Sequence, residues 1–312
     1  MSANTVIVTA ANARYFPLLR QAVQSVNDTG LRDRFALAVL DLGLTDDQRD
    51  ELAPLIDLRA EARWDMEFPG RDDFPAYFKA MTARPHLPKY FPGHAVYIWL
   101  DADAWVQDPA VLDIFVEAAM KGQLAVVPEL DRSYSSFYKR PRPYWRTQNF
   151  RAFNWSYGFR IADRLARNPI LNSGVFALKA DAPHWDLWHK TLLAALCRRR
   201  LLGSRSGLWA HVSEQTALNY VVFHDKAPAT FLPAYCNWFC GKAVPMWDAS
   251  AAKLVEPHAP HRPLGIVHLA GDGVQDRVFD MTTVAGGALS SRLTYDAVRN
   301  LAQDRGGGVT PR

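Results

Sequence analysis

Two aspartates one residue apart, Asp101 and Asp103, follow an apolar run in the stretch YIWLDADAW. Side chains two positions apart on extended backbone point to the same side, so we expect the two carboxylates to face each other. A cation between them would relieve their repulsion. Mg²⁺ and Mn²⁺ usually bind through one or two carboxylates plus substrate phosphates. The pair therefore predicts a metal–diphosphate site, although the motif alone also fits a solvated turn in which one aspartate caps the next segment.

The elements that must position this pair alternate from the start of the chain. TVIVTA (5–10) reads as a buried strand, and NARYFPLLRQAVQSV follows with apolar residues at helical spacing. RFALAVLDL (34–42) is the next strand, and Thr45 is a plausible N-cap for the helix after it. Strand–helix alternation predicts an α/β fold with a mostly parallel sheet covered on both faces. Ligands of such sheets bind beyond the carboxyl ends of the strands, where Asp101 and Asp103 lie.

The rest of the chain continues this pattern with one interruption. We predict strands at 94–100 and 123–130, a broken helix at 74–91, a strand pair or strand and turn at 169–181, and helices at 182–202 and 213–225. Residues 131–160 are basic, aromatic and irregular, and a loop of that length is usually functional or disordered. We expect one domain over 1–285, with 131–165 as an insertion, and a C-terminal helix and flexible tail over 286–312.

The amino-acid composition narrows the classes of protein to which this chain could belong. The 312 residues carry a formal net charge of +4, too mild for a dedicated nucleic-acid binder but suited to a phosphate-bearing ligand. Three cysteines do not make a disulfide framework. The first residues do not read as a signal peptide, and no apolar run reaches the ~18 residues of a membrane span. We expect a soluble, cytoplasmic protein without a nucleic-acid partner, either free or peripheral at the inner face of an anionic membrane.

Five short motifs in order carry a family resemblance: HAVYIWLDADAWVQDP, LNSGVFAL, SEQTALNYV, LPAYCNW and IVHLAGDG. Together they resemble the nucleotide-sugar glycosyltransferases of family 8, which include glycogenin and bacterial lipooligosaccharide galactosyltransferases. The resemblance runs from about residue 5 to 273, with 131–165 unmatched. It implies a GT-A fold, a Rossmann-like sheet with helices on both faces. It also implies Mn²⁺- or Mg²⁺-dependent, retaining transfer of a hexose from a UDP-sugar to a glycan or lipid-linked acceptor.

The resemblance also assigns roles to residues. It implies that Asp101, Asp103 and His268 hold the metal, although a lone histidine is often only a structural hydrogen-bonding group. Gln215 falls beside the anomeric carbon of the donor, and Glu214 stands where the family usually has aspartate. The residues that we expect to bind the nucleotide sugar are Ala10, Ala11, Asn12, Tyr15, Lys79, Asp101, Ala102, Asn172, Ser173 and Gly271. Asn172 to Gly174 could instead form a plain tight turn.

The sequence leaves the mechanism open. Lys79, Arg84 and Lys242 are candidates for neutralising the diphosphate, or are simply solvated cations. The acceptor could attack from the leaving-group face, or a carboxylate could form a covalent intermediate; Glu129, Asp131 and Glu214 are the candidates. The run HLAGDGVQDR lacks the lysine and Pro-Trp that commonly follow the histidine in the family, and Arg277 could substitute. This departure weakens the assignment of the donor.

Other interpretations remain. The chain could be a non-catalytic sugar-nucleotide or glycan-binding module, or a nucleotidyltransferase, although TAANARY lacks the Gly-rich basic loop of the latter. Cys236, Cys240, His258 and His261 distantly resemble a zinc site. Residues 138–155 could bind the acceptor, form a solvated cationic lid or, least favoured, bind single-stranded nucleic acid. CRRRLL (197–202) could complement its helix dipole or dock on anionic lipid.

Overall fold

A computed structural model of the chain describes residues 4–134, 143, 146–198 and 207–303, with side chains from 212 onward in the last range. The helices of three turns or more are α1 (Phe16–Asp28), α5 (Ala110–Met120), α8 (His184–Arg198) and α9 (Gly207–Phe223). The shorter helices are α2 (Asp46–Leu52), α3 (Phe78–Ala83), α4 (Leu87–Tyr90), α6 (Gln148–Tyr157), α7 (Phe159–Leu165) and α10 (Tyr295–Gln303).

Seven strands form the central sheet, in the spatial order β3-β2-β1-β4-β7-β6-β8. They are β1 (Thr5–Ala11), β2 (Ala36–Asp41), β3 (Leu58–Glu61), β4 (Val96–Leu100), β6 (Leu124–Pro128), β7 (Leu171–Lys179) and β8 (Ala229–Phe231). All neighbours pair in parallel except β7, which runs antiparallel to both β4 and β6. Since β7 is reversed, its first residues lie at the same edge of the sheet as the last residues of β4.

Helices cover both faces of this sheet because successive strand residues point to opposite sides. Ile7 of β1 packs in one core cluster with α1 and α5, and Val6 and Val8 pack in another with α8 and α9. The expected α/β fold with a mostly parallel, doubly covered sheet is confirmed.

A second, three-stranded sheet extends the edge that carries the aspartates. It contains β5 (Ala104–Val106), β12 (Ile266–His268) and β9 (Trp238–Phe239), with β12 in the middle. Two hairpins complete the strands: β10 (Met246–Asp248) with β11 (Lys253–Val255), and β13 (Phe279–Thr282) with β14 (Ala288–Ser291).

Local sequence signals explain where the first helices begin. Asn12 accepts a hydrogen bond from Tyr15 N–H and so caps the 3₁₀ turn Ala13–Tyr15 that leads into α1, and the predicted N-cap Thr45 of α2 forms a reciprocal capping box with Gln48. A cap of this kind satisfies backbone donors that the first helical turn leaves unpaired. The predicted cap at Thr45 is therefore confirmed.

Of the two alternatives for residues 169–181, strand and turn is confirmed, since β7 (Leu171–Lys179) is followed directly by a turn. Another sequence expectation is wrong. Within 131–165, the described part is not irregular after residue 147, because α6 and α7 enclose their own apolar cluster around Phe150 and Phe153. Thr147 caps α6 through Phe150 N–H. Residues 135–142, 144, 145 and 199–206 lie outside the described residues, and with them parts of the basic segments 138–155 and 197–202.

The C-terminal helix α10 packs against the first half of the chain. Tyr295 packs edge-on against Trp105 of β5, with ring centroids 5.4 Å apart, and its hydroxyl donates to Asp28 of α1. Residues 304–312 of the expected flexible tail lie outside the described residues. No helix in the described part of the chain combines the length and apolar content needed to cross a bilayer.

Candidate active site

Strands from both sheets bring Asp101, Asp103 and His268 together. Asp101 directly follows β4, and its N–H donates to Gly174 O on β7 (2.8 Å). Three residues later β5 begins, and its Ala104 pairs with His268 at the end of β12. As a result, one ligand atom from each of the three side chains lies within 4.8 Å of the others. This juxtaposition is the one that the family resemblance implies.

Gly174 has no side chain, and this leaves the room that Asp101, His268 and Asn172 occupy. A Cβ added there would lie 2.5 Å from Asp101 Oδ2, 2.5 Å from His268 Cε1 and 2.9 Å from Asn172 Oδ1. Such distances are essentially never found for a real Cβ atom, so only glycine fits. Two carboxylates and one imidazole form a donor set that suits Mn²⁺. The residues present therefore fit a divalent ion.

Asn237 orients the histidine. His268 is 1% exposed, and its Nδ1 donates to Asn237 Oδ1 (3.0 Å) while its Nε2 lies 3.3 Å from Asp103 Oδ1. Metal-binding histidines commonly have such a second hydrogen bond, which fixes the ring and its tautomer. Burial disfavours charge on both groups, but their mutual attraction raises the pKa of His268 and lowers the pKa of Asp103. A cation would take the place of the proton that the two groups share.

Arg84 is the central cation of the site. Its guanidinium is bound to Asp101 and to Glu214, donates to Ser173 Oγ (3.3 Å) and lies 4.8 Å from the centroid of the Trp99 ring. Trp99 Nε1 also donates to Asp101 (2.7 Å). Of the three candidate phosphate cations, Arg84 is the one held against the metal cluster, and at 8% exposure it is not a solvated surface group.

Glu214 is a buried carboxyl with two partners and one unpaired oxygen. Its Oε2 accepts from Arg84 and from Ser173 Oγ (2.9 Å), whereas Oε1 has no hydrogen-bond partner in the described structure. Burial raises the pKa of Glu214 to about 7, against the opposing effect of Arg84. A carboxyl group with a pKa near neutrality can both give and take a proton. Its neighbour Gln215 accepts from Ser173 N–H (3.1 Å).

A cavity of about 540 Å³ opens in front of the cluster, and we call it the first cavity. Its walls include seven of the residues named from the resemblance: Ala10, Ala11, Asn12, Tyr15, Asp101, Ala102 and Asp103. Arg14 and Arg84 supply its cations, and Tyr77 supplies an aromatic face. Lys79 and Gly271 do not line it. The cavity therefore combines a wall from the first βα turn with carboxylates at its far end.

The remaining predicted residues lie beside the cluster. Asn172 is 7% exposed, accepts from Gly174 N–H (2.9 Å) and donates to Glu129 Oε1 (3.0 Å). The turn interpretation of 172–174 is wrong, because all three residues belong to β7. Lys242, a candidate for neutralising the diphosphate, is paired with Glu129 (2.8 Å) and does not line the first cavity.

Sequence reasoning missed two buried amides. Asn237 lies in the quoted motif LPAYCNW and is fully buried against His268. Asn219 lies in SEQTALNYV and binds both the N–H and the C=O of Leu171 at the start of β7 (2.8 Å each). A polar amide inside an apolar helix or beside a buried strand is the signal that could have identified them.

The zinc alternative is not supported. Within the described residues, Asp101, Asp103 and His268 form the only group of three acidic, histidine or cysteine side chains close enough to share an ion. Cys236 and Cys240 are buried free thiols, and burial raises the pKa of Cys236 to about 12. A thiol must lose its proton to bind zinc, and this environment opposes that loss.

Comparisons with known proteins identify the fold. No family model and no curated protein matches the sequence. Among solved structures, the galactosyltransferase LgtC in complex with donor and acceptor sugar analogues is similar, with a TM-score of 0.52, 15% identity and 98% of each chain covered. The bifunctional glycosyltransferase WbbM has a TM-score of 0.51 and 13% identity; the match covers 87% of this chain but only 46% of WbbM. The chain thus has the GT-A fold of solved glycosyltransferases, as the motif resemblance implies.

Proposed function

We propose that this protein is a metal-dependent, retaining glycosyltransferase that moves a hexose from a UDP-sugar to a glycan or lipid-linked acceptor. The observation that carries the proposal is the cluster of Asp101, Asp103 and His268 around a glycine that leaves room for an ion, at the end of a nucleotide-sized cavity. The GT-A fold supports it.

Asp101, Asp103 and His268 would hold Mn²⁺ or Mg²⁺, which when bound supplies positive charge to the diphosphate as it leaves. Arg84 adds a fixed positive charge beside Asp101, in a place where water is largely excluded. Ala11, Asn12 and Tyr15 form the wall on which the uridine would lie. Arg14 and Arg84 would then supply part of the positive charge of the lysine that commonly follows the histidine in the family and is absent here.

Glu214 and Gln215 are the groups that we assign to the reacting sugar. Gln215 uses its oxygen on Ser173 N–H, which leaves its amide NH₂ as the group that can contact substrate. Arg84 and Ser173 fix one oxygen of Glu214, and the unpaired Oε1, which is itself buried, is available to a proton. Of the carboxylates considered for a covalent route, Glu129 is already bound by Lys242 and Asn172. These contacts favour attack from the leaving-group face, with Glu214 and Gln215 positioning the reactants.

Calorimetric titration of UDP, with Mn²⁺ and with EDTA, tests the proposal. We expect UDP binding to require Mn²⁺ and to weaken at least about 100-fold in Asp103→Asn, because one of three metal ligands loses its charge. Asp280→Asn is the matched control, since Asp280 is an exposed hairpin residue that accepts from Ser290 Oγ. UDP binding of equal strength in EDTA, or in Asp103→Asn, would refute metal-dependent donor binding.

Turnover distinguishes an enzyme from a binding module on the same fold. If UDP binds as expected, we predict slow release of the sugar from a UDP-hexose in the presence of Mn²⁺, and loss of that release in Gln215→Ala. Tight, Mn²⁺-dependent UDP binding without hydrolysis or transfer for any UDP-hexose would favour the non-catalytic alternative. Peripheral association with the inner face of a membrane is a separate part of the proposal, and sedimentation with anionic vesicles tests it.

A further inference from the structure

A second cavity, of about 490 Å³, lies beside the strand that carries His268. Cys240 forms part of its wall, and Cys240 N–H donates to His268 O (3.0 Å). His268 thus connects the two cavities: its ring belongs to the metal cluster, and its carbonyl is bound to the wall of the second cavity. Nothing in the proposed donor site uses this space.

The charged residues that line the second cavity are all basic or can become so. They are Lys242, His258 and Arg277, and no carboxylate is among the lining residues. Two nearby acids are already engaged. Glu129 is paired with Lys242, and Asp131 accepts from the backbone N–H of the lining residue Ser133 (2.8 Å). The permanently charged side chains that line the cavity, Lys242 and Arg277, are therefore both positive.

Lys242 is held in place rather than loosely solvated. Its Nζ lies 2.8 Å from Glu129 Oε2, and Glu129 Oε1 accepts from Asn172 Nδ2 (3.0 Å). Asn172 is also bound to Gly174, whose position defines the metal cluster. An ammonium group has three donors, so two remain for a ligand. A short chain of hydrogen bonds thus fixes the cation next to the reaction centre.

Arg277 supplies the second fixed cation. Its guanidinium lies 4.8 Å from the ring centroid of the buried Phe279, a cation–π contact that orients the group without using its N–H donors. Within the described ranges it has no ion pair with a carboxylate. A guanidinium with free donors binds phosphate or carboxylate through two parallel hydrogen bonds.

We propose that the second cavity is an acceptor subsite for an anionic group, a phosphate or carboxylate on the sugar that receives the hexose. This inference rests on the proposed glycosyltransferase function and adds the chemical class of its acceptor. Lys242 and Arg277 bind the anion from two sides, and His258 adds charge when protonated. Lys242 already has Glu129 as one partner, but with a neutral acceptor Arg277 would have no anionic partner among the described residues.

Direct binding tests the subsite without needing turnover. A hexose 6-phosphate, the matching hexuronate and the neutral methyl hexoside are titrated into the protein and followed by NMR, with UDP and Mn²⁺ present to fill the donor site. We expect the phosphate or the uronate to bind at least about tenfold more tightly than the neutral sugar. We expect Lys242→Ala and Arg277→Ala each to weaken that binding about tenfold or more, the loss typical of one charge-assisted hydrogen bond. The tighter of the two anions identifies the acceptor group.

Lys121→Ala is the matched control, because Lys121 is an exposed lysine paired with Glu117 on α5, away from both cavities. It should bind all three sugars as the wild type does. Equal binding of the charged and neutral sugars, no binding of either anion, or wild-type anion affinity in Lys242→Ala and Arg277→Ala would overturn the proposal. Failure of the donor proposal would appear separately, as absence of Mn²⁺-dependent UDP binding by the wild type, and the anion titrations would still be interpretable.

Discussion

Replacing Gly174 by alanine is the sharpest test of how the metal cluster is built. The new methyl group would lie 2.5 Å from both Asp101 Oδ2 and His268 Cε1. To reach 3.0 Å, below which Cβ contacts are essentially never observed, each of these atoms must move by about half an ångström. Metal ligands tolerate only about 0.2 Å around their preferred distances. Two of the three ligands would therefore be displaced beyond that tolerance.

We expect Gly174→Ala to weaken Mn²⁺-dependent UDP binding about 100-fold or more, by analogy with the loss that a 1 Å misplacement causes at a catalytic site. The variant should still fold, with a stability loss of about 1–3 kcal/mol, which is the usual cost of overpacking. Calorimetry with UDP and Mn²⁺ measures the affinity, and urea unfolding monitored by circular dichroism measures the stability.

Gly287→Ala is the matched control. It makes the same substitution in a hairpin away from the site, where the new Cβ would be 3.3 Å from a single threonine hydroxyl. It should bind UDP like the wild type. A folded Gly174→Ala protein with wild-type affinity for UDP and Mn²⁺ would show that Asp101 and His268 do not bind the ion together, and the reasoning would fail.

Three further predictions follow from buried polar groups. Asn237→Ala removes the partner of His268 Nδ1, so the affinity for Mn²⁺, measured by calorimetry, should fall about 10- to 100-fold; an unchanged affinity would contradict the orienting role. Because its folded pKa of about 7 lies above the usual value of 4.5, ionised Glu214 opposes folding, so stability is lost as pH rises between these values. In urea unfolding between pH 5 and pH 8, the free energy of unfolding of the wild type should fall by up to about 3 kcal/mol relative to that of Glu214→Gln. The same pH dependence of stability in both proteins would contradict the raised pKa of Glu214. Asn219→Ala leaves the N–H and C=O of Leu171 unpaired and should cost about 2–4 kcal/mol in the same assay; a loss below 1 kcal/mol would show that water replaces the amide.

The sequence predicts the elements of the site better than their arrangement. The apolar run before Asp101 is unambiguous, because a strand buried on both faces must be continuously apolar. The direction of β7 cannot be predicted from the sequence in this way. A strand buried on both faces has the same continuously apolar pattern whether its neighbours are parallel or antiparallel. Only the reversed direction brings Asn172 and Ser173 to the edge where β4 ends.

Contacts between side chains that are far apart in sequence are the second feature that the sequence does not predict. Asn237 meets His268 only because β9 and β12 pair, and neither strand exceeds three residues. The helix α6 illustrates a different failure. Its N-cap Thr147 and the spacing of Phe150 and Phe153 were visible, but the prolines and cations before them made the whole segment look irregular.

The pairing of β5 with β12 has a consequence for biosynthesis. Asp103 is followed at once by β5. The strand that supplies His268, and Leu293, whose carbonyl accepts from the Trp105 ring N–H, both follow more than 150 residues later. At a translation rate of about 5–20 residues per second, the aspartates would wait roughly 10–30 s for the histidine. During that interval the nascent protein would hold two carboxylates without their third partner. We therefore expect a ribosome-bound chain that ends before residue 268 to lack Mn²⁺-dependent nucleotide binding, so that donor binding begins only after residue 268 has been made.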